Sequence, residues 1–115
     1  MRAYILIMLS GLCWSALLKD IPINLKQPGG SSLSAFASGD EYYVRLHNAD
    51  NYTIIQDVYD GYYYYAELKN NNISPTHFRA DQPIPDSFNV DKGIAITKAE
   101  YIKRRHKKSS SRGRD

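Results

Sequence analysis

The chain has 115 residues with a formal net charge of +3, ten tyrosines and one cysteine, which allows one small domain at most. The charge is uneven: residues 103–115 hold seven Lys/Arg and one Asp (net +6), whereas residues 1–102 hold eight Lys/Arg against eleven Asp/Glu (net −3). The basic isoelectric point therefore describes a tail and excludes a uniformly cationic surface of the kind that grips nucleic acid.

Residues 1–18, MRAYILIMLSGLCWSALL, begin with Arg2 and then run apolar for 16 residues from Ala3 to Leu18. A membrane-spanning helix needs roughly 20, so no stable membrane span is expected. The layout is that of a signal peptide over 1–15, with cleavage after Ser15, and it places the mature protein outside the cell. The alternative is an uncleaved anchor helix. Cys13 is the only cysteine. Removal of the signal leaves no thiol, hence neither a disulfide nor a cysteine nucleophile.

Residues 16–90 read as a small β domain. Turn signals recur at Pro28-Gly29-Gly30, Ser38-Gly39-Asp40, Asn48-Ala49-Asp50-Asn51, Asp60-Gly61 and Asn70-Asn71-Asn72, a spacing that predicts a mainly β fold, an antiparallel meander or hairpin sheet. Alternation in EYYVRLH puts Tyr42, Val44 and Leu46 on a dry face and Glu41, Tyr43, Arg45 and His47 on a wet one. Asp60-Gly61 predicts a tight primed turn that pairs Tyr52–Asp57 with Tyr62–Leu68. One face of this hairpin carries Thr53, Ile55, Tyr62, Tyr64, Ala66 and Leu68; the other carries Tyr52, Ile54, Gln56, Tyr63, Tyr65 and Glu67. Both are apolar to amphipathic, and tyrosine suits a pleated, half-buried backbone. Two adhesive faces imply that one is the core and the other is covered by a partner, with Tyr52, Ile54, Tyr63 and Tyr65 as the candidate docking face. The competing expectation is a surface ladder held by cross-strand pairs.

Ser74–Asn89, with three prolines and no period, reads as an extended linker. Residues 91–115 are expected to form a linker, a short basic helix and a tail. Thr97 and Glu100 have capping-box spacing for a helix from about Lys98 to Lys108, and Ser109–Asp115 reads as disordered. Lys103-Arg104-Arg105 is a candidate processing site. The tail could also hold an anionic membrane or nucleic acid, although a secreted chain seldom meets the latter.

Catalytic patterns are missing from the sequence. The three histidines stand at 47, 77 and 106, without metal-ligand spacing or an H-E-x-x-H, so no metal, no cofactor and no enzymatic activity are expected. Asp57 and Asp60 flank a turn, where capping is the expected role; with Asp50 they lack EF-hand spacing. Asn51-Tyr52-Thr53 and Asn72-Ile73-Ser74 are glycosylation triplets.

Three segments carry a resemblance: Gly39-Asp40-Glu41-Tyr42-Tyr43, Asp50-Asn51-Tyr52-Thr53 and Asp60-Gly61-Tyr62-Tyr63-Tyr64-Tyr65-Ala66, preceded by KQPGGSSL at 26–33. In this order behind a signal, they resemble the N-terminal pro-region of secreted zinc metalloproteases of the immune inhibitor A type. The family pattern has an aspartate where Gly29 stands and a glycine where Asn51 stands, and asparagine tolerates the same left-handed backbone. The resemblance spans about residues 22–105 and does not extend to a zinc motif, so no catalytic residue carries over. It implies a non-catalytic, propeptide-like role, keeping a metalloprotease catalytic domain latent or assisting its folding, in cis or in trans. The reading from composition alone is a free-standing secreted binding or adhesion module with a tyrosine-rich face.

Overall fold

A computed structural model describes residues 17–113, with side chains to residue 108. The expected signal peptide, with Ser15 and Cys13, lies outside the described residues. Six strands, β1 (Leu18–Lys26), β2 (Ser32–Gly39), β3 (Val44–His47), β4 (Thr53–Gln56), β5 (Tyr63–Lys69) and β6 (Asn72–Arg79), precede one helix, α1 (Lys98–Gly113). The strands form one antiparallel sheet in chain order. This is the mainly β meander that the turn spacing predicts.

The tyrosine hairpin forms with the expected faces, Ile54 opposite Tyr65 and Ile55 opposite Tyr64. Its turn differs from expectation. Only Gly61 has positive φ (81°), and Asp60 does not. The loop is longer, closed by Gly61 N–H to the Asp57 carbonyl and by Asp57 N–H to the Tyr62 carbonyl, both 2.9 Å. Asp57 Oδ1 accepts the Tyr59 N–H at 2.7 Å and Asp60 Oδ1 accepts the Tyr62 N–H at 2.9 Å. Two aspartates that bond their own backbone favour this loop over a two-residue turn. The turn with two left-handed residues occurs instead at Asn70 (φ 52°) and Asn71 (φ 71°), between the paired Lys69 and Asn72.

The expected linker after residue 74 is partly a strand. β6 runs through Pro75 to Arg79, which is possible because β6 is an edge, where a missing N–H breaks no ladder bond. Residues beyond it then turn back, and Ile84 and Phe88 pack on the core. The helix also exceeds expectation, running through the serine triplet to Gly113 where disorder is expected. Its start agrees, with the Glu100 N–H bonded to Thr97 Oγ1 at 3.2 Å.

The core lies on one face of the sheet: Leu25, Ala35, Ile54, Tyr65 and Ala80 are buried, flanked by Ile23, Leu33, Leu46, Tyr52, Tyr63 and Phe78. Strands far apart in the sheet order thus share one cluster, so the sheet must curl around it. Alanines at 35, 37, 66 and 80, all buried, let the layers approach. A buried glutamine closes the curl. Gln27, 5% exposed, accepts the Tyr63 N–H with Oε1 at 3.2 Å and donates from Nε2 to Asp81 Oδ2 at 3.2 Å. Asp81 in turn holds Arg79, whose guanidinium lies 3.9 Å from the Tyr62 ring centroid. The β1–β2 turn therefore rests on the β4–β5 turn, where a Cβ on Gly61 would come within 3.0 Å of Pro28 Cγ.

We expect Gln27→Ala to lower stability by about 1–3 kcal/mol, because it leaves the half-buried Tyr63 amide without its acceptor. Ile54→Ala should cost about 2–5 kcal/mol as a core truncation. Both are read from urea midpoints at constant slope.

Candidate functional site

The candidate docking residues are the protein's own core. Ile54 is 1% and Tyr65 4% exposed, and Tyr52 and Tyr63 pack against the same cluster. Phe88 covers them, its ring centroid 5.5 Å from that of Tyr65 and 5.8 Å from that of Tyr52, and the Tyr65 hydroxyl donates to the Gln82 carbonyl at 3.0 Å. The prolines of residues 82–90 read as linker, yet the segment lays an aromatic on this face. Burial leaves Ile54 and Tyr65 no surface for a partner.

The opposite face is covered in part by the C-terminal segment. Ile96 is buried, and Thr53, 2% exposed, donates to the Ile94 carbonyl at 2.6 Å. The backbone follows: Gly93 N–H bonds the Asn51 carbonyl at 2.8 Å and Thr97 N–H the Asn71 carbonyl at 3.0 Å. Helix α1 then fastens to two turns. The Tyr101 hydroxyl donates to Asp40 Oδ2 at 2.5 Å, and Arg104 Nη2 to Asn72 Oδ1 at 2.7 Å. Arg104 also bonds Glu100 at 3.1 Å and lies over the Tyr43 ring, while Arg105 and Lys108 face the ring of Tyr42. Burial alone would raise the pKa of Asp40, but hydrogen bonds from Tyr101 and from the N–H groups of Tyr42 and Tyr43 hold its carboxyl below the usual range. Tyr101 is raised by the same bond to Asp40.

Turns at Asp40, Asn51 and Gly61 thus clamp other parts of the chain. Asp40 holds the helix, Asn51 and Thr53 hold residues 93 and 94, and Gly61 meets Pro28. The processing candidates Lys103, Arg104 and Arg105 sit on a folded helix, where a protease that needs extended chain cannot reach them. Asn51 and Asn72, the glycosylation candidates, bond Arg45 and Arg104.

A cleft of about 560 Å³ opens beyond the reach of the helix, lined by Lys19, Phe36, Ser38, Arg45, His47 and Asn51 among others. The "wet" face of β3 lines it, yet His47 is only 4% exposed. His47 Nδ1 donates to the Asn48 carbonyl at 3.0 Å, and Nε2 stands 3.0 Å from Ser38 Oγ and 3.3 Å from Asp20 Oδ1. Serine, histidine and aspartate meet here, but serine and aspartate crowd one ring nitrogen. An orienting acid belongs on the other. Ser38 Oγ also accepts the Asp20 N–H at 2.9 Å, pinning Asp20 in its left-handed conformation (φ 48°) at the β1 bulge. The trio builds structure. Gln27, Phe36 and Tyr101 were not singled out by sequence reasoning, since nothing local distinguishes a turn glutamine that closes a sheet.

No protein-family model, curated protein or solved structure matches the chain.

We expect trypsin to cut slowly after Lys103, Arg104 and Arg105 in the folded protein. Tyr101→Phe should speed cleavage there several-fold by loosening the helix, as mass spectrometry of early fragments would report. Asp40 has a depressed folded pKa, so its contribution is complete above the unfolded value of about 3.9 and is lost as pH falls through the folded pKa. The helix should therefore become more protease-sensitive below about pH 4, read with an acid-active protease, and Asp40→Asn should remove that dependence.

Proposed function

We propose that the chain is a non-catalytic, propeptide-like β domain that docks on the catalytic domain of a secreted zinc metalloprotease and holds it latent or helps it fold. The observation that carries this reading is the clamp. Asp40, Asn51 and Thr53 of two resembling segments hold Tyr101, Gly93 and Ile94, in and just beyond the segment KGIAIT at 92–97, which sits where the resembling family moves toward its catalytic domain. Such a grip fixes where an attached body stands relative to the sheet. It also keeps the dibasic stretch folded until the helix is released.

Two geometric facts bear on how docking works. Strand addition, one route by which small β units bind, is discouraged at both edges. β1 carries Pro22 and a bulge near Asp20, and β6 carries Pro75 opposite Ala66 beside another bulge; these are common devices against edge pairing. The β4–β5 tip, by contrast, presents Val58 at 87% and Tyr59 at 96% exposure on a loop held by Asp57 and Asp60. A preformed apolar tip binds with little ordering cost. The tip adjoins the β1–β2 turn, where a Cβ on Gly61 would come within 3.0 Å of Pro28 Cγ.

The test is co-expression of residues 16–115 with an immune inhibitor A-type catalytic domain. We expect lower peptidase activity or a higher folded yield than without the partner, and loss of the effect with the double substitution Val58→Asp and Tyr59→Ala. No change in either readout overturns the proposal and favours the free-standing module.

A further inference from the structure

We propose that the cleft between β1, β2 and β3 is a binding site for a monoanionic carboxylate carried on a flat ring. Its volume, about 560 Å³, falls within the roughly 300–1,000 Å³ of small-ligand sites. Arg45 supplies the recognition element. Nη1 donates to Thr53 Oγ1 at 3.0 Å and Nη2 to Asn51 Oδ1 at 2.6 Å, both neutral oxygens, and none of the ion pairs among the described residues includes Arg45, the one within the cleft joining His47 to Asp20. The guanidinium is therefore fixed in orientation without a direct carboxylate partner, and its remaining N–H groups suit the planar fork of a carboxylate.

The charge of the cleft selects a monoanion. Lys19 and Arg45 are opposed by Asp20 alone among the lining residues. Asp20 turns its carboxylate to His47 Nε2 and Ser38 Oγ, each at 3.3 Å. One net positive charge matches one carboxylate, and Asp20 would oppose a doubly charged phosphate or sulfate. Phe36 supplies the apolar surface of the cleft, its ring backed by the buried His47 ring with centroids 5.9 Å apart and planes inclined by 22°, and a flat ring can lie against it. Helix α1 and the tip at Val58-Tyr59 take no part, so this site is independent of the proposed protease contact.

The probes are sodium benzoate, sodium glucuronate and sodium sulfate, titrated into the isotope-labelled full chain at fixed ionic strength and followed by amide chemical shifts. We expect saturable shifts at Phe36, Ser38, Arg45 and His47 with benzoate, and none with glucuronate, whose chair-shaped ring cannot lie flat against Phe36. Lys19→Glu, at an exposed position, should weaken binding at least fivefold at an unchanged thermal midpoint, and Arg45→Lys should do likewise by removing the fork while keeping the charge. Should Arg45→Lys fail to fold, Lys19→Glu decides. Shifts that stay linear with benzoate, equal or tighter binding of glucuronate or sulfate, or affinity unchanged in Lys19→Glu would each overturn the proposal.

Discussion

A single sheet whose first and last strands share one core must bend, and the bend must satisfy the polar groups it buries. Gln27 does this for the present fold. Its side chain reaches from the β1–β2 turn to the Tyr63 amide and to Asp81, joining the two ends of the meander through a buried polar contact. A buried amide of this kind contributes little net energy when satisfied and costs much when broken, so it specifies the curl more than it strengthens it. Once the curl is set, Leu25 and Ala35 meet Ile54, Tyr65 and Ala80, and the remaining layers have a surface to cover.

The chain supplies both covers itself. Residues 82–90 lay Ile84 and Phe88 on the concave face, and residues 93–108 lie on the other, fastened at Thr53, Asn71, Asn72 and Asp40. The tyrosine run is divided between these tasks. Tyr62 stacks with Arg79, Tyr63 and Tyr65 serve the core, and Tyr64 bonds Asp60. The Tyr52–Ile54–Tyr63–Tyr65 face is covered within the chain, whereas on the other face Thr53 and Ala66 are buried, Ile55 and Tyr64 are half-buried and Leu68 is 49% exposed. The small core explains the reliance on polar clamps: a chain with few large buried side chains gains much of its order from turns bonded to distant segments.

Much of the fold was legible in the sequence, because turn residues at regular spacing and period-2 alternation report local geometry directly. The faces of the hairpin and the cap at Thr97 follow from such local signals. What failed was long-range. Pro75 and the prolines near 83–85 read as linker because proline excludes a central strand, and the edge position that tolerates Pro75 is a property of the whole sheet. Asp60-Gly61 read as a primed turn because the pair favours it, yet Asp57, three residues upstream, stabilises a longer loop. The docking face was assigned correctly as a face and wrongly as outward, since alternation separates two sides without saying which is covered. The cleft was illegible for the same reason: Arg45 and His47 sit on a strand that reads as polar, and only the Asp20 bulge and Phe36 turn that polarity into a cleft.

Native-state hydrogen exchange at the Tyr63 amide tests the closure of the curl most directly. A sheet closed by Gln27 requires this amide to exchange only through global unfolding in the wild-type protein, and much faster in Gln27→Ala while Ile54 and Tyr65 keep their protection relative to the variant's own stability. Exchange of Tyr63 at the rate of an exposed loop amide in the wild-type protein would contradict it.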